Sequence, residues 1–140
     1  LWGAMGLNMP INRNYAISDF ICQALINKRI NVTANKSVTR RYVSDLEFME
    51  TCIKSAINGV NRTFDSGGEK IEVRDLARMV ATHFGGIDVH TEPEIDLSDN
   101  YFPNNEDYSN LREELKLTQP ESLETLVSNT IEGHKSQQLR

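Results

Sequence analysis

What most constrains this chain is the way short extended runs feed directly into segments with a helical apolar period. The run RRYV (40–43) leads into a segment where Leu46, Met49, Ile53, Ala56, Ile57 and Val60 recur at helical spacing. KIEV (70–73) leads in the same way into Leu76, Ala77, Val80, Ala81 and Phe84, closed by Gly85 and Gly86. YAISDFICQALINK (15–28) carries Ala16, Ile17, Phe20, Ile21, Ala24 and Leu25 with the same period, then passes into an extended INVT (30–33). Apolar residues every three or four positions give a helix one core-facing stripe. Strands this short alternating with such helices read as an α/β or α+β chain.

Local chemistry places the boundaries. Residues 1–6 read as a short buried strand, and NMPINRN (8–14) as a turn with Asn14 as the cap of the first helix. Lys28 and Arg29 suit the negative end of that helix. Ser44 and Glu47 form the S-x-x-E pattern of a capping box, which predicts a helix over 45–58 ended by Gly59. RTFDSGG (62–68) reads as a strand running into a glycine turn, and IDVHT (87–91) as a half-buried strand. The acidic, Asn-rich stretch 92–110 reads as a long loop. Leu111, Leu115 and Leu117 mark a short helix, and Ser122 caps a last one, giving about five helices in all.

The 140 residues, 39% hydrophobic and 25% charged, are the composition of one globular domain over 1–140. A net charge of −5 argues against non-specific nucleic-acid binding, which needs a broad basic surface. No apolar run approaches the ~20 residues that span a bilayer, and no signal peptide opens the chain. Cys22 and Cys52 both fall in helical apolar patterns, the usage of free thiols in the core of a reduced, cytoplasmic protein. The opening LWGAMG reads as a strand that has been cut into, so a piece of something longer is expected.

Groups for catalysis are scarce. His83, His90 and His134 lie in different segments without metal-ligand spacing and read as surface residues. Glu92, Glu94, Asp96 and Asp99 lack the rhythm of a calcium loop and read as solvated. Tyr101, Phe102 and Pro103 put two aromatics into a polar loop, an anchor or one wall of a pocket. Arg40 and Arg41 stand out in an acidic chain. Guanidinium groups before a helix are either solvated or carboxylate-paired, or they form an anion site whose donor fork suits phosphate.

Taken in order, the motifs resemble a known family. GLNMPINRNYAISDFICQAL is similar to the segment of NAD-dependent sugar-nucleotide epimerases and dehydratases with the form G-P-x-x-P followed by A-I-x-N-F-I-x-x-A-L. INVT, ANKS, Arg40, YV and SDLEF follow as that family's strand, G-D-G turn, Arg, strand and V-D-D-L do. TFDSGG resembles its Y-N-V-G-S, IEVRDLARMV its I-S-I-x-E-L-A helix, and SLETLVSNTI its closing helix. The resemblance covers nearly the whole chain. It implies an α/β fold, the C-terminal substrate-binding lobe of an extended short-chain dehydrogenase/reductase, without the Rossmann core.

By the same resemblance, Arg40 grips the diphosphate of a nucleotide-sugar, while Ile17, Asp19, Phe20 and Val32 line its pocket; Tyr101, from the aromatic loop, is the further candidate for that site. The glycine-rich NAD fingerprint and the Tyr-x-x-x-Lys pair of the family are absent, since neither Tyr15 nor Tyr42 has a Lys four residues on. No catalytic, cofactor or metal residue is therefore expected in this chain. NAD or NADP belongs to an intact parent, and the fragment alone is not expected to turn over substrate. The resemblance also implies that LWGAMG and RTFDSG lose neighbouring strands, which predicts a homodimer through uncovered sheet edges.

Overall fold

In the computed structural model, residues 3–11, 14–93, 95, 98–100 and 105–138 are described. Among the described residues five helices, α1 (Ala16–Asn27), α2 (Asp45–Ile57), α3 (Val73–His83), α4 (Glu106–Glu114) and α5 (Leu123–Gln138), alternate with short strands. Strand β3 (Ser37–Ser44) is the hub of one sheet. β1 (Ala4–Met5) and β6 (Ser98–Asn100) pair with it in parallel at its two ends, and β4 (Glu69–Glu72) pairs antiparallel between them. β2 (Arg29–Val32) and β5 (Asp88–Thr91) form a separate parallel pair in the register Ile30 to Val89.

The core lies where α1, α3 and α5 meet. Ile17, Ile21 and Ala24 from α1 interlock with Leu76, Ala77 and Val80 from α3 and with Leu126, Val127 and Ile131 from α5. Each set repeats at i, i+3 or i+4, so burial of one helical stripe explains both the elements and their mutual packing. α5 also fixes the turn after β1. Thr130 Oγ1 accepts from the Gly6 amide at 3.0 Å, and Gln137 Nε2 donates to the Met9 carbonyl at 3.0 Å. A Cβ on Gly133 would collide with the Leu7 carbonyl, so only glycine lets helix and turn approach this closely.

Several expectations are corrected. Ser44 does cap α2 in position, but its hydroxyl donates to Glu121 Oε2 at 2.9 Å instead of accepting from the helix. Glu47 turns inward, where Tyr108 donates to it at 2.9 Å and Arg112 pairs with it, so the capping box does not form. A buried carboxylate with a charged partner and a phenol donor is held more strongly than one reaching back to an exposed amide. Asn14 is not the cap of α1. That position is Tyr15, whose own side chain makes no cap hydrogen bond.

Residues 61–68 form no strand, because no described strand offers them an edge and Gly67 and Gly68 turn the backbone to φ 58° and 100°. The stretch expected as loop over 92–110 contains β6, and α4 begins at Glu106. Buried Tyr108 extends the Leu111 and Leu115 stripe one turn back. His134, expected at the surface, is fully buried, as is Ser18 opposite it. Cys22 is buried, but Cys52 is exposed rather than part of the core. Arg41, left open above between solvent and a partner, donates from its Nη1 to the Gly68 carbonyl at 2.8 Å.

Candidate functional site

A cleft of about 410 Å³ opens between the start of α1 and the strands β2 and β3. Alternation along β3 puts Val38, Arg40 and Tyr42 on one face, and all three line this cleft. Across from them stand Tyr15 at the α1 cap, then Asp19 and Phe20 in its first turns. Val32 at the end of β2 closes the floor.

Thus Arg40, Asp19, Phe20 and Val32, four residues separated by up to 21 positions, are brought to one cavity by the strand–helix order alone. Ile17 is instead fully buried in the α1–α3–α5 core and is not among the lining residues. Tyr101 lies outside the described residues. Tyr15, Asn31 and Tyr42 line the cleft without having been singled out. Tyr42 was legible, because a strand residue two places from Arg40 shares its face.

The polar groups are held in place. Gln23 Nε2 donates to Asp19 Oδ2 at 2.7 Å, while Gln23 Oε1 accepts from the Asn31 amide at 2.7 Å. This ties α1 to β2 across one wall. Arg40 Nη1 donates to the carbonyls of Thr39 and Asp99 at 2.8 and 2.7 Å, and its Nη2 lies 3.3 Å from Asp99 Oδ1. Lys36 Nζ is 3.2 Å from the other oxygen of Asp99. These two cations, Lys36 first, hold the Asp99 carboxyl below its usual range. Within this group two positive charges face two negative ones, Asp99 and Asp19. The positive end of the α1 dipole also faces the cleft, with Asn14, Tyr15 and Ala16 in its lining.

Burial pushes the Tyr42 phenol up to about 12, only partly opposed by Arg40, so it is a proton holder rather than a base near neutral pH. His134 and Ser18 stand 2.8 Å apart, but both are sealed in the core. Nδ1 of His134 faces the Thr130 carbonyl at 3.0 Å and must donate to it, leaving Nε2 to accept from the Ser18 hydroxyl. The pair staples α1 to α5.

Among the described residues no group of three or more His, Cys, Asp or Glu stands together as metal ligands. None of the described helices is long and apolar enough to cross a membrane. Nor do the described glycines fit a dinucleotide pyrophosphate, which needs a glycine turn from a strand into a helix N-terminus. Gly67 and Gly68 lead into β4, and Gly85 and Gly86 follow the C-terminus of α3.

No family model matches the chain, and no curated protein matches it. Solved structures do. TunA, described as an NAD-dependent NDP-hexosamine 5,6-dehydratase, superposes with a TM-score of 0.70 at 12% identity, over 96% of this chain and 44% of that one. The UDP-N-acetylglucosamine 4-epimerase of Methanobrevibacter ruminantium superposes with a TM-score of 0.72 at 16% identity, over 97% and 44%. A mutant UDP-glucuronic acid 4-epimerase of Bacillus cereus, in complex with NAD and a UDP-4-deoxy-4-fluoro-glucuronic acid, gives 0.72 at 12%, over 97% and 44%.

The chain thus spans less than half the length of the solved structures it matches. Its α/β fold is that of the C-terminal part of extended short-chain dehydrogenase structures, the group to which the sequence motifs pointed.

Proposed function

We propose that this chain is the substrate-binding portion of an NAD-dependent sugar-nucleotide epimerase or dehydratase, and that its cleft holds the diphosphate of an NDP-sugar. The observation that carries this reading is the gathering of Arg40, Asp19, Phe20 and Val32 on one cleft, in a fold shared with enzymes of UDP-sugars. Arg40 supplies a planar donor fork for a phosphate, and the start of α1 supplies aligned amides beside it. Phe20, Val32 and Tyr15 offer apolar and aromatic surface beside them. The chain's part is to bind and orient. NAD, held by the remainder of an intact protein, supplies the hydride chemistry, and the proton-transfer groups belong to that part too. The same reading places the protein in the cytoplasm, with both cysteines as free thiols, and has the chain pair with a second copy through uncovered sheet edges.

A second reading is favoured by the Arg40–Asp99 contact: a non-catalytic remnant or partner-binding module in which a carboxylate has taken the phosphate's place. Calorimetric titration with UDP-, dTDP- and CDP-sugars separates the two. The first reading expects saturable binding of at least one of them and its loss in Arg40→Ala. No binding of any, with the chain folded, establishes the second.

A further inference from the structure

Two cations close on one carboxylate at the rim of the cleft. β6 pairs with β3 in the register Val38 to Asp99, and Val38 stands between Lys36, the residue just before β3, and Arg40. Residues in register share a face of the sheet, and the face of Val38 and Arg40 is the one that lines the cleft. The Asp99 carboxylate therefore lies on the cleft side of β6. Lys36 Nζ reaches one of its oxygens at 3.2 Å and Arg40 Nη2 the other at 3.3 Å. Lys36 is not part of the lining itself and comes to the rim through this carboxylate.

An anion held by both oxygens between a guanidinium and an ammonium marks where phosphate oxygens can sit. Asp99 brings a single charge to the two cations. A diphosphate brings more charge and more oxygens, so it satisfies both cations more fully. The present pairs are open to exchange, because the side chains of Lys36, Arg40 and Asp99 are 39%, 33% and 39% exposed and such pairs hold weakly. Exchange also leaves the backbone in place. Arg40 Nη1 donates to the Thr39 and Asp99 carbonyls at 2.8 and 2.7 Å, bonds that keep the guanidinium aimed while the Asp99 side chain turns aside.

We infer that Lys36 is a second phosphate-binding residue of this cleft, and that Asp99 is the internal anion a diphosphate displaces from Lys36 and Arg40. This rests on the reading of the cleft as a diphosphate site and adds a residue and a selectivity to it. Arg40, a planar fork, takes one phosphate, and Lys36, a point charge on a flexible stem, takes the next. A nucleoside monophosphate engages Arg40 alone and leaves Lys36 on Asp99.

Calorimetric titration of the 140-residue chain with UDP-N-acetylglucosamine, UDP and UMP tests this. The wild type is expected to bind both diphosphates at least about tenfold more tightly than UMP. Lys36→Gln should weaken the diphosphates by about tenfold and leave UMP within about twofold, while Lys36→Arg retains most of the preference. Arg40→Ala should weaken all three ligands. Equal loss of UDP and UMP in Lys36→Gln makes Lys36 a support of Arg40 and overturns the inference. Unchanged diphosphate binding in Lys36→Gln, with loss in Arg40→Ala, overturns it too and leaves the cleft reading standing. A folded wild type that binds neither diphosphate overturns the cleft reading, and Lys36 with it.

Discussion

Helices α2 and α3 are built alike and used oppositely. Each starts directly from a strand, α2 from β3 and α3 from β4, and each is little more than ten residues long. Yet α3 buries Val73, Leu76, Ala77, Val80 and Ala81, while α2 buries Glu47, Thr51 and Ser55 and leaves its aliphatics outside. An apolar period establishes that a helix forms and that one face will be covered. It does not say what covers it. On the α3 side the chain completes its own core. On the α2 side it presents a face and holds its inner surface by a polar network.

Substitutions on the two helices should break this symmetry in proportion. Leu76→Ala is expected to cost about 2–5 kcal/mol in denaturant unfolding, because a fully buried side chain leaves a cavity. Ile53→Ala, on the exposed face of α2, should change the unfolding of dilute protein by less than about 0.5 kcal/mol. Equal effects would mean that α2 is covered within the protomer. Between these extremes comes the polar lining of α2. Tyr108 bridges Glu47 and Thr51 at 2.9 and 3.2 Å, so Tyr108→Phe should cost about 1–3 kcal/mol by leaving Glu47 short of a donor.

The α3 side also carries the pH sensitivity. Burial lowers the His134 pKa below its usual 6.5, so the folded chain favours neutral imidazole. The unfolded chain takes up a proton first as pH falls. The His134 contribution is therefore full above pH 6.5 and is lost as pH drops from there through the lower folded value. Urea midpoints measured from pH 8 to 5 should show this slope, and His134→Gln should flatten it. The smallest effect concerns the cleft. Asp99→Asn should free Arg40 and Lys36 in part and tighten UDP-sugar binding by roughly threefold, read by calorimetry, since a partly exposed pair screens modestly. Weaker binding instead would make Asp99 a positioning group for Arg40.

Much of this fold was legible in the sequence, and the reasons differ by element. α1, α2 and α3 follow from apolar spacing alone, and Ser122 caps α5 as read, its Oγ accepting from the Thr125 amide at 3.2 Å. What failed depended on partners distant in sequence. Ser44 and Glu47 had a local capping pattern, but Glu121, Tyr108 and Arg112, 61 to 77 positions away, offered better bonds. TFDSG had strand composition but no edge to join. His134 looked like a surface residue until Ser18, from the other end of the chain, supplied a hydroxyl. In the cleft, the face shared by Arg40 and Tyr42 could be read from strand alternation. The Asp99 carboxylate on Arg40 could not, because nothing local pairs residues 40 and 99.

The central claim is that this cleft, and not the α2 face, receives a nucleotide-sugar. Titration of the isotopically labelled chain with UDP-N-acetylglucosamine, followed by amide NMR shifts, tests it most directly. The account predicts saturable shifts at Asp19, Phe20, Val32 and Arg40, silence along Leu46 to Ile57, and loss of the response in Arg40→Ala. Shifts centred on α2, or cleft shifts that survive Arg40→Ala unchanged, would contradict it.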